Sequence, residues 1–92
     1  MVWIVKYKNK RKIDNVVSKL RPSTQTSLYN AIEDLKSEGP NPNFWETTEL
    51  KGKLKGIYRL KIDYRHRMFY EVSKNILTIT IVEVSTREKA YK

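Results

Sequence analysis

The stretch Leu50–Val72, LKGKLKGIYRLKIDYRHRMFYEV, decides the fold. From Ile57 onward polar and apolar residues alternate, as they do along a half-buried strand. Tyr58, Leu60 and Ile62 fall on one face, and Ile57, Arg59 and Lys61 on the other. After Asp63-Tyr64-Arg65 the alternation resumes, with His66, Met68, Tyr70 and Val72 set against Arg67, Phe69 and Glu71. The spacing predicts a hairpin whose even-numbered residues face a core. Core residues must oppose core residues across the hairpin, because a one-residue slip would turn every side chain to the wrong face. A three-residue loop at 63–65 meets that condition and sets Ile62 opposite His66, Lys61 opposite Arg67 and Arg59 opposite Phe69. The odd face then displays Arg59, Lys61 and Arg67 together. Like charges directly opposite destabilise a sheet by up to about 1 kcal/mol, so folding alone would not select the Lys61–Arg67 pair. A bound phosphate would. On this basis Lys61→Glu or Arg67→Glu should stabilise the protein while destroying its function.

Working outward, Gly52 and Gly56 bracket a turn rich in lysine (Lys51, Lys53, Lys55), and Phe44–Leu50 reads as a short strand after a loop at Asn41–Asn43. At the start of the chain, Val2–Tyr7 is β-branched and aromatic and predicts a strand. The basic cluster Lys8–Lys12 leads into a helix with Ile13, Val16, Val17 and Leu20 on one stripe. Arg21-Pro22 breaks that helix, since the residue before proline is pushed out of helical geometry. Ser23 or Thr24 can cap the next helix, whose stripe is Leu28, Ala31, Ile32 and Leu35 and whose stop is Gly39-Pro40. Beyond the hairpin, Ser73-Lys74-Asn75 is a turn and Ile76–Val84 (ILTITIVEV), apolar on both faces, is an interior strand. Ser85–Lys92 is a basic tail that can add a helical turn. The order predicts an α+β domain over residues 1–92. Two N-terminal antiparallel helices pack on one face of a mainly antiparallel four- to five-stranded sheet. The other face is left open, and it holds Arg59, Lys61 and Arg67.

Composition narrows the function. Ninety-two residues with 39% apolar content, two Trp, six Tyr and two Phe supply one small core. No run of about 18 apolar residues exists to span a membrane, and MVWIVKYKNKRK is charged too early for a signal peptide. The absence of cysteine removes disulfides and thiolate metal sites and makes a reducing cytoplasm the expected compartment. A net charge of +9 points to nucleic acid or an acidic protein as partner.

One histidine and scattered acids make no metal-ligand cluster, and LKGKLKG lacks the strand–loop–helix context of a phosphate loop. No cofactor is expected. His66 lies on the core side of the hairpin, where a lone histidine is a packed core residue rather than a catalyst. What remains is arginine, lysine and tyrosine. Such a set can bind phosphate and stabilise a pentacoordinate phosphoryl transition state without metal. RNA brings its own nucleophile, the 2′-hydroxyl, which a protein need only orient and deprotonate. A binding surface is the simpler use of the same face.

The succession LKG, GIYRLKI, RMFYEV and IVEVSTREKAY resembles the RelE/ParE superfamily of toxins from toxin–antitoxin pairs. The resemblance covers nearly the whole chain and is most specific from Leu50 to Tyr91. It implies one of two activities. RelE-branch members cleave mRNA in the ribosomal A site and are silenced by a RelB-like antitoxin that wraps around them. ParE-branch members poison DNA gyrase and lack the nuclease residues. Arg59 and Lys61 match the two basic strand positions of the RelE branch, and Arg67, followed by x-x-Tyr70, matches its strand arginine. Arg87 and Tyr91 match the C-terminal pair. The resemblance therefore implies a metal-independent endoribonuclease that uses these five residues on the ribosome and mRNA. Lys51, Lys53, Lys55, Arg65 and Lys89 would grip RNA phosphates. Two positions depart from the pattern. Thr86 stands where several relatives place a histidine, and His66 stands where tyrosine precedes the strand arginine. The general base is thus open, with Lys61, surrounded by cations, ahead of Glu83 and Glu88.

Overall fold

A computed structural model of the chain describes residues 2–86. The elements run β1 (Ile4–Tyr7), α1 (Lys10–Ser18), α2 (Pro22–Glu38), β2 (Thr47–Glu49), β3 (Ile57–Lys61), β4 (His66–Ser73) and β5 (Thr78–Thr86). The strands form one sheet in the order β1-β5-β4-β3-β2, with β1 parallel to β5 and the other neighbours antiparallel. The expected α+β architecture is the observed one. The hairpin has the predicted register: Lys61 pairs with Arg67, Leu60 with Met68, Arg59 with Phe69 and Tyr58 with Tyr70. The turn closes with the Ile62 N–H donating to the His66 carbonyl at 3.0 Å.

The even residues Tyr58, Leu60, Ile62, Met68 and Tyr70 are buried, and they join Ile13 and Val17 of α1 and the predicted α2 stripe in one core. Gln25 of α2 stitches the helices together. Its amide donates to the carbonyls of Val17 (2.8 Å) and Leu20 (3.0 Å), at and just beyond the end of α1. Gly39 ends α2 at φ 93°, and a Cβ there would lie 2.9 Å from the Trp3 indole nitrogen. Only glycine fits both constraints.

Several boundaries differ from expectation. Neither Ser23 nor Thr24 caps α2. Pro22 occupies the first turn, where its missing N–H costs nothing, and Arg21 precedes it as the cap residue without a side-chain bond. Thr24 is buried instead, and its hydroxyl donates to Asp63. β2 is shorter than Phe44–Leu50 because the Trp45 indole is drawn to α2, donating to Asp34 at 2.8 Å. β5 starts at Thr78 rather than Ile76. Lys74–Ile76 form a 3-10 turn, and Leu77 is left-handed at φ 47°. Within β5 the register slips by one residue between Phe69–Glu83 and Tyr70–Ile81, a bulge that leaves Val82 as the extra residue. Core parity therefore changes from Ile79 and Ile81 to Val84. The helical turn expected within the tail would fall mainly on residues 87–92, which lie outside the described residues.

The odd face is also less bare than its pattern implied. Phe69 stands on it with no exposed surface. Its cross-strand neighbours are Arg59 and Glu83.

Tyr70 offers a test of the core. Its hydroxyl donates to the Pro40 carbonyl at 2.6 Å, and its ring stacks on Tyr58 at 5.7 Å. Burial, then the neighbouring Tyr58, pushes its phenol well above the ordinary range. Tyr70→Phe should lower stability by about 1 kcal/mol or more, because the carbonyl loses its partner inside the protein. Urea denaturation should show a lower midpoint with an unchanged slope.

Candidate active site

The β3–β4 turn is built around the Asp63 carboxylate. One oxygen accepts the backbone N–H groups of Arg65 and His66, each at 2.9 Å, and lies 3.0 Å from His66 Nδ1. The other accepts the Thr24 hydroxyl of α2 at 2.8 Å. His66 is accordingly not an apolar core residue. Its imidazole is half-buried and held by Asp63 within the turn. A short polar side chain that folds back onto backbone N–H groups two and three residues on is a standard way to close a turn.

Arg67 uses the same turn. Its Nη1 lies 2.9 Å from the Asp63 carbonyl, 3.1 Å from that of His66 and 3.3 Å from that of Tyr64. Across the ladder, Lys61 turns the other way, its Nζ 3.9 Å from Glu46 Oε1. Glu46 is fixed there because its carbonyl accepts the Lys61 N–H at 3.0 Å and its neighbour Trp45 is anchored on α2. The opposed cations thus each have a partner that sequence pattern did not reveal. Replacing either by glutamate no longer promises added stability. Lys61→Glu would face Glu46, and Arg67→Glu would remove the guanidinium from the turn carbonyls of Asp63, Tyr64 and His66.

Arg59, Lys61 and Arg67 share the odd face, with Arg59 one step along β3 from the Lys61–Arg67 pair. Ser85 extends that row beyond Arg67. Its hydroxyl is shielded from solvent and has no hydrogen-bond partner among the described residues. Lys51, Lys53 and Lys55 are exposed around the 3-10 turn Gly52–Leu54, at the opposite end of β3. The length of β3 sets the Lys61–Arg67 pair about 13 Å from that turn, with Arg59 midway. Arg65 lies in the hairpin turn itself, and Arg21 from the start of α2 lines the same shallow recess, an addition that no local pattern signalled. Arg87, Lys89 and Tyr91 lie outside the described residues, as does Glu88. Among the described residues no group of three His, Cys, Asp or Glu side chains could hold a metal ion, and no helix is long and apolar enough to cross a membrane.

Solved structures share this architecture over almost the full chain. A chain of the archaeal RelE–RelB complex from Pyrococcus horikoshii OT3 matches with a TM-score of 0.78 at 19% identity, over 98% of this chain and 100% of its own. The chain has the RelE-like fold. A YoeB/ParE toxin from Agrobacterium tumefaciens matches at 0.75 and 14% identity, over 91% and 98% of the two chains. The RelBE2 toxin–antitoxin complex from Mycobacterium tuberculosis matches at 0.71 and 19%, over 95% and 100%. No protein-family model matches the chain, and neither does any curated protein. In this RelE-like fold the hairpin bearing Arg59, Lys61 and Arg67 lies between the edge strand β2 and the interior strand β5.

The Asp63 network has a pH signature. Burial works to raise the carboxyl, but the hydrogen bonds from Thr24, His66 and the two backbone N–H groups outweigh it and hold the acid below its ordinary range. A depressed carboxyl stabilises the fold above the unfolded-state value and loses that contribution as pH falls through the folded one. Asp63→Asn should therefore melt lower than the wild type at neutral pH. The gap should begin to close as pH drops below about 4, the unfolded-state value, and vanish as pH falls further through the depressed folded one. Arg67→Glu should melt lower as well, through loss of the turn bonds.

Proposed function

We propose that this protein is the toxin of a toxin–antitoxin pair, a ribosome-dependent endoribonuclease that cuts mRNA in the A site. The observation that carries this reading is the hairpin register, which sets Lys61 opposite Arg67 with Arg59 beside them on one face. A phosphodiester is the natural occupant of such a row, and the RelE-like fold supports the same conclusion. The 2′-hydroxyl attacks the adjacent phosphorus, forming the P–O2′ bond as the P–O5′ bond breaks. The products are a 2′,3′-cyclic phosphate and a 5′-hydroxyl. Arg59, Arg67 and Arg87 hold the phosphate and its developing charge, while Lys61 moves the proton or shares the electrostatic work. Because the turn carbonyls fix Arg67 in advance, little reorganisation accompanies the reaction. Tyr91 contacts a nucleotide. Lys51, Lys53, Lys55, Arg65 and Lys89 grip ribosomal RNA through its phosphates, which confers affinity without sequence selection. A RelB-like antitoxin is the expected inhibitor, in keeping with the RelE–RelB complex of the archaeal neighbour.

A second reading rests on an apolar strip. Val2, Ile4 and Ile76 are 74%, 55% and 63% exposed, and the Ile4 N–H bonds to the Leu77 carbonyl, so they share one end of the sheet. A ParE-like toxin would use such a strip to bind gyrase and would cut no RNA.

Primer extension on cellular mRNA after induction separates the two. The nuclease should give discrete, ribosome-dependent ends, and Arg59→Ala or Arg87→Ala should reduce them by about two orders of magnitude or more. Intact mRNA together with inhibited DNA supercoiling would favour the gyrase reading.

A further inference from the structure

The odd face carries a second recess, separate from the Lys61–Arg67 row. It is a half-open recess of about 510 Å³, comparable in volume to small-ligand sites of about 300–1,000 Å³. Lys8 and Lys12 stand on one side, Ile57 and Val82 provide apolar surface, and Glu71 and Glu83 bring two carboxylates. Each is placed by backbone structure. Glu71 is the cross-strand partner of Ile57, and Lys8 is fixed by its N–H bond to the Ile81 carbonyl at 2.9 Å. The bulge in β5 brings Val82 and Glu83 into the recess as consecutive residues, which a regular strand would send to opposite faces. Asn9, also in the lining, is occupied in capping α1 through the Lys12 N–H.

The four charged side chains make this recess unusual. Among the described residues, Lys8, Lys12, Glu71 and Glu83 have no ion-pair or side-chain hydrogen-bond partner. Two cations and two anions line one recess without forming ion pairs with one another. A ligand that presents an anion, a flat apolar ring and a hydrogen-bond donor would satisfy all of them together.

We infer that this recess is a nucleotide subsite that selects bases bearing an exocyclic amino group; the inference rests on the nuclease reading above and names a specificity site for it. The phosphate lies against Lys8 and Lys12, the base against Ile57 and Val82, and its amino group donates to Glu71 or Glu83. Cytosine, adenine and guanine each carry such a donor. Uracil presents carbonyl oxygens in place of the amino group and keeps only its single N3–H donor, flanked by those oxygens, so it satisfies the carboxylates less well. Glu71 lies four positions along β4 from Arg67, or about 13 Å. The subsite therefore takes a nucleotide of the same bound strand that is not the one cleaved.

The test is a two-dimensional amide NMR titration of the purified full chain with CMP, AMP, GMP and UMP. The amides of Glu71, Val82 and Glu83 should shift saturably, with CMP, AMP and GMP bound about fivefold or more tighter than UMP, the lower end of what one good base contact gives. Glu71→Ala should erase or reduce that preference with little effect on UMP, and Lys12→Ala should weaken all four alike. Equal affinity for UMP, or no saturable shift at these amides at millimolar ligand, overturns the proposal. The titration needs no ribosome. If the preference appears but mRNA stays intact in cells, the subsite stands and the nuclease reading falls. If mRNA is cut and the titration fails, the reverse holds.

Discussion

One carboxylate organises the working end of this molecule. Asp63 accepts two backbone N–H groups of its own turn, contacts His66 and receives the Thr24 hydroxyl from α2. A three-residue turn carrying two opposed cations has no intrinsic reason to close tightly. Asp63 supplies the reason locally, and Thr24 ties the closed turn to the helical layer. Arg67 then caps the same turn from the sheet side through its guanidinium. The hydrogen bonds that close the hairpin are thus the ones that hold Arg67 in place.

This arrangement shows how a strongly basic protein tolerates its own charge. The +9 is not spread evenly. One group of cations surrounds the Gly52–Leu54 turn, another gathers at the 63–65 turn, and Lys8–Lys12 form a third at the start of α1. Most are exposed, where water and salt screen repulsion. The half-buried Lys61 and Arg67 have a carboxylate and backbone carbonyls as partners instead. The odd face is consequently a mixed surface, with a fully buried Phe69 between a cationic row and a recess containing two acids.

The solved neighbours share the architecture at 14–19% identity, so most side chains differ while the backbone plan persists. What such a plan requires is modest: an apolar stripe on each helix, alternating strands, and glycine where the chain must turn into positive φ, as at Gly39. The charged residues on the odd face are not constrained by the core, and the proposed chemistry rests on them. Function on this fold must therefore be argued from those residues.

The sequence by itself determined the layers, the helix stripes and the hairpin register. Each follows from a local period, and a one-residue error would expose a whole core face. Tyr58, Leu60, Met68 and Tyr70 against Arg59, Lys61 and Arg67 permit only pairings of one parity, the three-residue loop at 63–65 selects among them, and that pairing is observed. Tertiary structure decided what those cations touch. Glu46 reaches Lys61, and Thr24 reaches Asp63 over a separation of 39 residues. The β5 bulge overrides strict alternation to gather Val82 and Glu83 beside Lys8. Period-based reasoning assigns each residue a face, but it is blind to partners brought in from elsewhere in the chain. It also fails wherever a strand takes in one residue more than its neighbour, because the parity on which every face assignment depends is reset at that point.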